Sequence, residues 1–267
     1  TDITGTLMIP ANVETIGYAS FYKTKVTGLD LSNAASLVSI GGNAFKETNL
    51  EGTLVIPTSV TTIGDGAFSK TKLTGLGLSN AASLVSIGKW AFQVTDITGT
   101  LVIPAKVTTI GIAAFSSTKL AGLDLSNAAS LVSIGNWAFG YTDITGTLVI
   151  PAKVETIGGG AFYDTDITGL DLSDAASLES IGDFAFGITD ITGTLVIPAN
   201  VETIGDYAFD STKLKGLDLS NAASLVSIDV RAFYSTDITG TIVTPFTVPT
   251  YAANFNSFPA GVTILKG

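Results

Sequence analysis

The sequence predicts a β-solenoid: short parallel strands wound into about ten coils of 22–25 residues, arranged as five 47-residue doublets. Three observations lead there. The motif Thr-x-x-x-Gly-Thr starts at Thr1, Thr48, Thr95, Thr142, Thr189 and Thr236, always 47 residues apart. Each 47-residue unit holds two Leu-x-Leu/Ile pairs, and the first Leu of successive pairs (7, 29, 54, 76, 101 and onward) alternates in spacing between 22 and 25. Ten isoleucines (16, 40, 63, 87, 110, 134, 157, 181, 204, 228) and ten phenylalanines (21, 45, 68, 92, 115, 139, 162, 186, 209, 233) recur in step with them. Periods of this length mark coils that cannot bury their apolar side chains alone and do so by stacking on copies of themselves.

Each element follows from its residues. Leu7/Ile9, Leu29/Leu31 and their equivalents to Leu217/Leu219 have the period-two spacing of a strand burying one face. Pro10, Pro57, Pro104, Pro151 and Pro198 stand just past the first strand of each doublet, where a missing N–H lets the chain leave the sheet. The Ile and Ala-Phe positions complete the core, and stacking at about 4.8 Å sets like against like. After residue 235 the pattern fades: Thr236 to Val243 keep it, then Phe246, Tyr251, Phe255 and Phe258 replace the Ile-Gly and Ala-Phe signals. Residues 1–235 therefore read as the solenoid proper, in five double repeats. Residues 236–267 read as a divergent last repeat and C-terminal cap, with Val262-Thr-Ile-Leu265 as a last strand. At the other end Thr1 enters the first repeat directly, with no initiator Met and no signal peptide. That start presents an open apolar edge, either the cut boundary of a longer chain or an assembly surface.

The first halves, Ile-Pro-x-x-Val-x-x-Ile-Gly-x-x-Ala-Phe (Ile197 to Phe209, for example), resemble the BspA-like, or Treponema pallidum type, leucine-rich repeats. The second halves, Leu-Asp-Leu-Ser-Asn-Ala-Ala-Ser-Leu, resemble leucine-rich repeats in general. The resemblance implies a curved leucine-rich-repeat horseshoe and an extracellular or cell-surface protein of adhesion or binding. It brings no catalytic residues with it.

Composition narrows the function further. The chain has no Cys and no His, which removes thiol chemistry, the disulfide framework, the commonest general base and the commonest metal ligand. No cofactor is implied. Charged residues are only 13% and the net charge is −10, so a nucleic-acid partner is not expected. Mean hydropathy is +0.48, yet no apolar run approaches the roughly 18–20 residues that cross a bilayer. Residues 142–188 carry eight acids against Lys153 alone. An active site of carboxylates would break the repeat locally with non-repeating residues; the only local break is the acidic drift around Asp164–Glu179, and a non-catalytic chain is expected.

Variation among the copies concentrates beside Ala-Phe. One position of the second halves reads Asn43, Trp90, Trp137, Phe184 and Arg231, and Tyr141, Tyr163 and Tyr207 lie in the same zones. Aromatics with an Arg at the margin are what a binding hot spot uses. Trp90, Trp137, Phe184, Tyr207 and Tyr141 are thus the candidate anchors for a protein or glycan partner, against the alternative that the rings fold down as core trim. The strand side is bland, with a broken acidic row of Asp30, Asp124, Asp171 and Asp218 interrupted at Gly77. Asp2, Lys25, Asn49, Lys72, Asp96, Lys119 and Asp143, then Asp166, Asp190, Lys213 and Asp237, form a row that alternates in sign except at Asp166 and predicts coil-to-coil ion pairs. Asp164-Thr-Asp-Ile-Thr-Gly169 opens like a calcium loop, with Asp164 and Asp166 as candidate ligands. Its twelfth position, however, is Ala175 where a bidentate Glu is required. The competing class of function is structural: self-association through the open N-terminal edge, or ice binding by the Thr-Gly-Thr ranks, which Glu51, Ala121 and Lys215 interrupt.

Overall fold

The computed structural model describes residues 3–244 and 257–266; Thr1 and Asp2, and Phe246, Tyr251 and Phe255 of the expected cap, lie outside the described residues. The fold is a parallel β-solenoid, with no helix among the described residues. The chain divides into two compact units, one of residues 1–131 with 141–144, the other of residues 132–140 with 145–267.

In the first unit the long strands pair two by two: Thr4–Met8 with Lys25–Asp30, Glu51–Val55 with Lys72–Gly77, and Thr98–Val102 with Lys119–Asp124. The second unit repeats the arrangement with Gly146–Val149 and Ile167–Asp171, Thr192–Val196 and Lys213–Asp218, and Thr241–Thr244 and Thr263–Lys266. The partners are always the two halves of one doublet, joined by the shorter 22-residue step. Across the 25-residue step the long strands do not pair. The continuous ladder in each unit is a different one, made of two-residue strands: Thr15–Ile16 through Thr109–Ile110 in the first unit, Ser133–Ile134 through Ser227–Ile228 in the second. The sequence marked those isoleucines as core; they are also the hydrogen-bonded seam.

The glycine of Thr-Gly-Thr, or of Glu-Gly-Thr at Gly52, takes φ of 77–86° at Gly5, Gly52, Gly99, Gly146 and Gly193, and the strand register slips by one residue beside it. That conformation favours glycine over any side-chain-bearing residue. The next residue, Thr, faces a second glycine across the pair. A Cβ at Gly28, Gly75, Gly122, Gly169 or Gly216 would lie 2.6–2.7 Å from the Thr Oγ1. Thr and Gly therefore alternate from strand to strand on this face, and a flat, unbroken Thr rank does not form.

The Phe positions carry the core. From Phe45 to Phe233 these nine rings are wholly buried, and Phe21 is half-buried. Neighbouring rings stack nearly parallel, with centroids 5.1–5.3 Å apart from Phe21 to Phe115 and 5.1–5.4 Å from Phe139 to Phe233. Phe258 stacks on Phe233 at 5.4 Å. The Ser257 carbonyl accepts the Phe233 N–H, as the Ala232 carbonyl accepts that of Phe209. Ser257-Phe258 thus stands where the next Ala-Phe would be, so Phe258 continues the pattern that the sequence expectation had it replace. The drift in surrounding residues hid this, because the spacing from Phe233 stretches to 25.

Two further ranks are buried, and the second includes the Thr that opens the 47-residue motif. Val26, Leu50, Leu73, Ile97, Leu120, Ile144, Ile167, Ile191, Leu214 and Ile238 are all buried two residues before the Gly of the strand motif. Thr24, Thr48, Thr71, Thr95, Thr165, Thr189 and Thr236 are buried as well, each donating its hydroxyl to the carbonyl of the Phe three residues back at 2.8–2.9 Å. A buried hydroxyl without such a partner would cost about 1–3 kcal/mol.

Candidate functional site

The variable zones sit on the turn that carries Phe, and its backbone explains where their side chains go. In the first coil Ala19, Phe21 and Lys23 donate their N–H groups to Gly42, Ala44 and Lys46 of the next coil. Ser20, Tyr22 and Thr24, between them, close turns onto carbonyls three residues back. The alternation requires left-handed residues on either side of Phe. Two before Phe these are Ala19, Asn43, Gly66, Trp90, Ala113, Trp137, Gly160, Phe184, Tyr207 and Arg231, all at φ of 51–63°. Two after Phe they run from Lys23 through Val94, Tyr141, Asp164 and Ile188 to Ser235, at φ of 54–60°. A side chain in that region costs about 1–2 kcal/mol where glycine costs nothing. Five of the ten positions before Phe nevertheless hold Trp, Phe, Tyr or Arg.

In the second unit the rings form one connected ridge. The Trp137 indole lies over Gly160, where a Cβ would come within 2.7 Å of its Cδ2. Trp137 meets Tyr163 edge-on at 5.4 Å, and Tyr163 meets Phe184 edge-on at 6.1 Å. Phe184 stacks on Tyr207 at 4.9 Å, with the planes 4° apart. The Arg231 guanidinium lies over the Tyr207 and Tyr234 rings, 5.7 and 5.1 Å from their centroids, and donates to the Tyr207 hydroxyl at 2.9 Å. Trp137, Tyr163, Phe184 and Tyr207 are half-buried, and Tyr234 is exposed. Three of the five expected anchors, Trp137, Phe184 and Tyr207, are therefore brought together here. Tyr163 joins them as the bridge; the sequence placed it in the right zone but not its part in the row. The other two, Trp90 and Tyr141, belong to the first unit, 44% and 47% exposed, and Ala113 follows Trp90 at the equivalent position of the next coil.

Carboxylates line the ridge, and some of them have structural work. Asp183 Oδ1 accepts the Asp206 N–H at 2.9 Å, and Asp206 Oδ1 accepts the Val230 N–H at 2.8 Å. Asp65 and Asn136 make the same clasp to Lys89 and Gly159. An acceptor of the right length reaches the next coil's backbone, which is why short Asp and Asn recur in the variable zone. Asp210 is partly buried beside Arg231, and burial pushes its carboxyl up. Its Oδ1 is buried without a hydrogen-bond partner.

The acidic row on the strand side has a local explanation. Asp30, Asp124, Asp171 and Asp218 each accept the N–H of the Ser two residues on at 2.8–2.9 Å. The Ser hydroxyl, then that N–H, hold these carboxyls below the usual carboxylate range. They close the turn out of the strand. Where neighbouring doublets fail to pair, open grooves of about 830 and 730 Å³ form at equivalent places, Leu29–Ser32 against Thr53–Ser59 and Leu170–Ser173 against Thr194–Asn200. Neither is lined by an aromatic ring. Coil-to-coil ion pairs form at Lys119–Asp96 and Lys213–Asp190, both 2.7 Å, and Glu47 lies between Lys23 and Lys70 at 3.4 and 3.9 Å. Asp164 and Asp166 are both exposed, and among the described residues no group of three or more carboxylates converges as a metal site would require.

Stacked parallel coils with a Leu-x-Leu strand, an Ile seam and a Phe core define a leucine-rich-repeat solenoid. The family model described as "BspA type Leucine rich repeat region", in six copies, matches residues 4–121 and 132–256, and the chain belongs to that family. No curated protein matches the sequence. Among solved structures, the pneumococcal vaccine antigen PcpA is similar, with a TM-score of 0.50 and 18% identity over 98% of this chain and 79% of the other. A leucine rich cell surface protein from Faecalibacterium prausnitzii is 18% identical over 99% of this chain and 88% of its own, with a TM-score of 0.38. A leucine-rich repeat protein from Bacteroides ovatus is 18% identical over 100% and 95%, with a TM-score of 0.36. Among the described residues no helix is long and apolar enough to cross a membrane.

Proposed function

We propose that this leucine-rich-repeat chain is a non-catalytic binding and adhesion scaffold, working outside the cell or on its surface, and that it recognises a protein or glycan through its turn side. One observation carries the proposal. Five of the ten left-handed positions before Phe hold large side chains where glycine would be free of strain, and three consecutive coils place Phe184, Tyr207 and Arg231 there. Strain of this kind persists where a side chain is needed for something other than the fold. Trp137, Phe184 and Tyr207 are the anchors of the second unit, and Trp90 and Tyr141 supply exposed aromatic surface on the first. That a pneumococcal vaccine antigen is among the similar structures supports the location.

The test is capture of ligands from extracellular-matrix and cell-surface extracts and on glycan arrays, with wild type beside Phe184→Ala/Tyr207→Ala. The variant is expected to lose the captured ligand while keeping the wild-type circular dichroism. Equal capture by both proteins would sink the turn-side reading.

A further inference from the structure

The ridge of the second unit has a chemistry that selects among partners. We infer that it docks a cationic polypeptide segment, whose Lys or Arg stems lie along the ring rims while their heads meet the flanking carboxylates. The inference rests on the turn-side reading above and adds the class of partner.

Three observations support it. The first is charge. The second unit holds fourteen acids against five bases, so nine of the chain's ten net negative charges fall there. Such a surface draws cations and repels anions.

The second is placement. Asp183 and Asp206 stand in consecutive coils next to Phe184 and Tyr207, and each has one oxygen fixed by the next coil's N–H. The fixed oxygens orient the carboxylates and leave the second oxygen of each for an incoming donor. Two like charges one coil apart repel, and a cation between them relieves that repulsion. Ile188 and Tyr234, both 45% exposed, add apolar surface on the Phe-bearing turns of the same unit. A surface apolar along its length with carboxylates at its edge suits side chains that have a methylene stem and a cationic head.

The third is Arg231. At the end of the ridge its guanidinium already rests over the Tyr207 and Tyr234 rings. The chain itself thus supplies one example of the contact proposed for a partner.

The experiment uses the full chain and three ten-residue probes, alternating Arg-Ser, Glu-Ser and Gly-Ser, measured by fluorescence anisotropy. The Arg-Ser probe is expected to bind, and its affinity to fall about tenfold from 50 to 300 mM salt, as contacts between opposite charges do. Asp183→Asn/Asp206→Asn keeps both amide-oxygen acceptors and removes only the charges. Phe184→Ala removes only a ring. Each is expected to weaken the Arg-Ser probe at least about fivefold. Asp174→Asn/Glu179→Gln removes two exposed charges of the same unit outside the ridge and is expected to change binding less than about twofold.

The inference is overturned if the Glu-Ser or Gly-Ser probe binds as tightly as Arg-Ser. It is overturned equally if Asp174→Asn/Glu179→Gln weakens binding as much as Asp183→Asn/Asp206→Asn, which would mean diffuse charge attraction. If a neutral or acidic probe binds and needs Phe184, the partner class is wrong and the recognition surface stands. If no probe's binding depends on Phe184 and the extract ligands do not either, both fall.

Discussion

Truncating one ring in the middle of the Phe core separates a shared ladder from a row of independent contacts. Phe162 is wholly buried and stacks on both Phe139, at 5.4 Å, and Phe186, at 5.3 Å. Phe162→Ala should remove about 3–5 kcal/mol through lost burial and the cavity left behind. Each stacking contact adds about 0.5–1.5 kcal/mol beyond area. With partial collapse of the site, a total near 5 kcal/mol is expected. Phe162→Leu keeps most of the apolar volume and loses both stacks, so about 1–3 kcal/mol is expected. Phe21 provides the comparison: it is half-buried and has Phe45 as its ring partner, so Phe21→Ala should cost about 2 kcal/mol. The assay is guanidinium unfolding followed by Trp137 fluorescence in a Trp90→Phe background, which reports the second unit. For Phe21→Ala, Trp90 in a Trp137→Phe background reports the first. A neutral Phe162→Leu, or equal costs for Phe162→Ala and Phe21→Ala, would refute a core built by ring-on-ring stacking.

Other consequences are equally direct. Asp206→Ala removes the acceptor of the Val230 N–H and should cost about 1 kcal/mol and speed exchange of that amide, whereas Asp206→Asn should do neither. Gly122→Ala would put a Cβ 2.7 Å from Thr100 Oγ1, costing about 1–3 kcal/mol, and Thr100→Ala in the same chain should restore most of the loss in a double-mutant cycle. Asp30, Asp124, Asp171 and Asp218 are held below their ordinary pKa when folded. Their contribution is therefore complete above the unfolded carboxylate pKa of about 3.9 and is lost as pH falls through the lower folded values. A chain with all four changed to Asn should show a flatter acid limb in thermal unfolding between about pH 4 and pH 2.

Much of this architecture is legible in the sequence because the repeat writes each contact ten times. The Ile and Phe ranks could be read directly, since a buried rank tolerates little change from coil to coil. The pairing of the long strands could not. Leu29 and Leu54 look as equivalent as Leu7 and Leu29, and only the 25-residue step between them hints that the strands separate there. The left-handed positions carry only a partial signal: Asn43, Gly66 and Gly160 at one site are the residues that conformation favours. The aromatics at the same site masked the signal, because Trp and Phe there run against backbone preference. Asp183 and Asp206 read as variable surface for a similar reason. The clasp exists only where a short acceptor happens to occur, so it leaves no invariant column. Phe258 was obscured by the longer spacing together with the drift around it, Ser257 standing where Ala precedes the other rings.

If the turn ridge of the second unit recognises the partner, as proposed, affinity should depend on the ridge and not on the strand side. The most direct measurement is the affinity of one captured ligand for three proteins side by side: wild type, Phe184→Ala/Tyr207→Ala on the ridge, and Asp30→Asn/Asp171→Asn on the strand side. The ridge variant is expected to lose at least about tenfold in affinity and the strand-side variant to bind as wild type does. A strand-side variant that loses the ligand while the ridge variant keeps it would overturn the turn-side proposal.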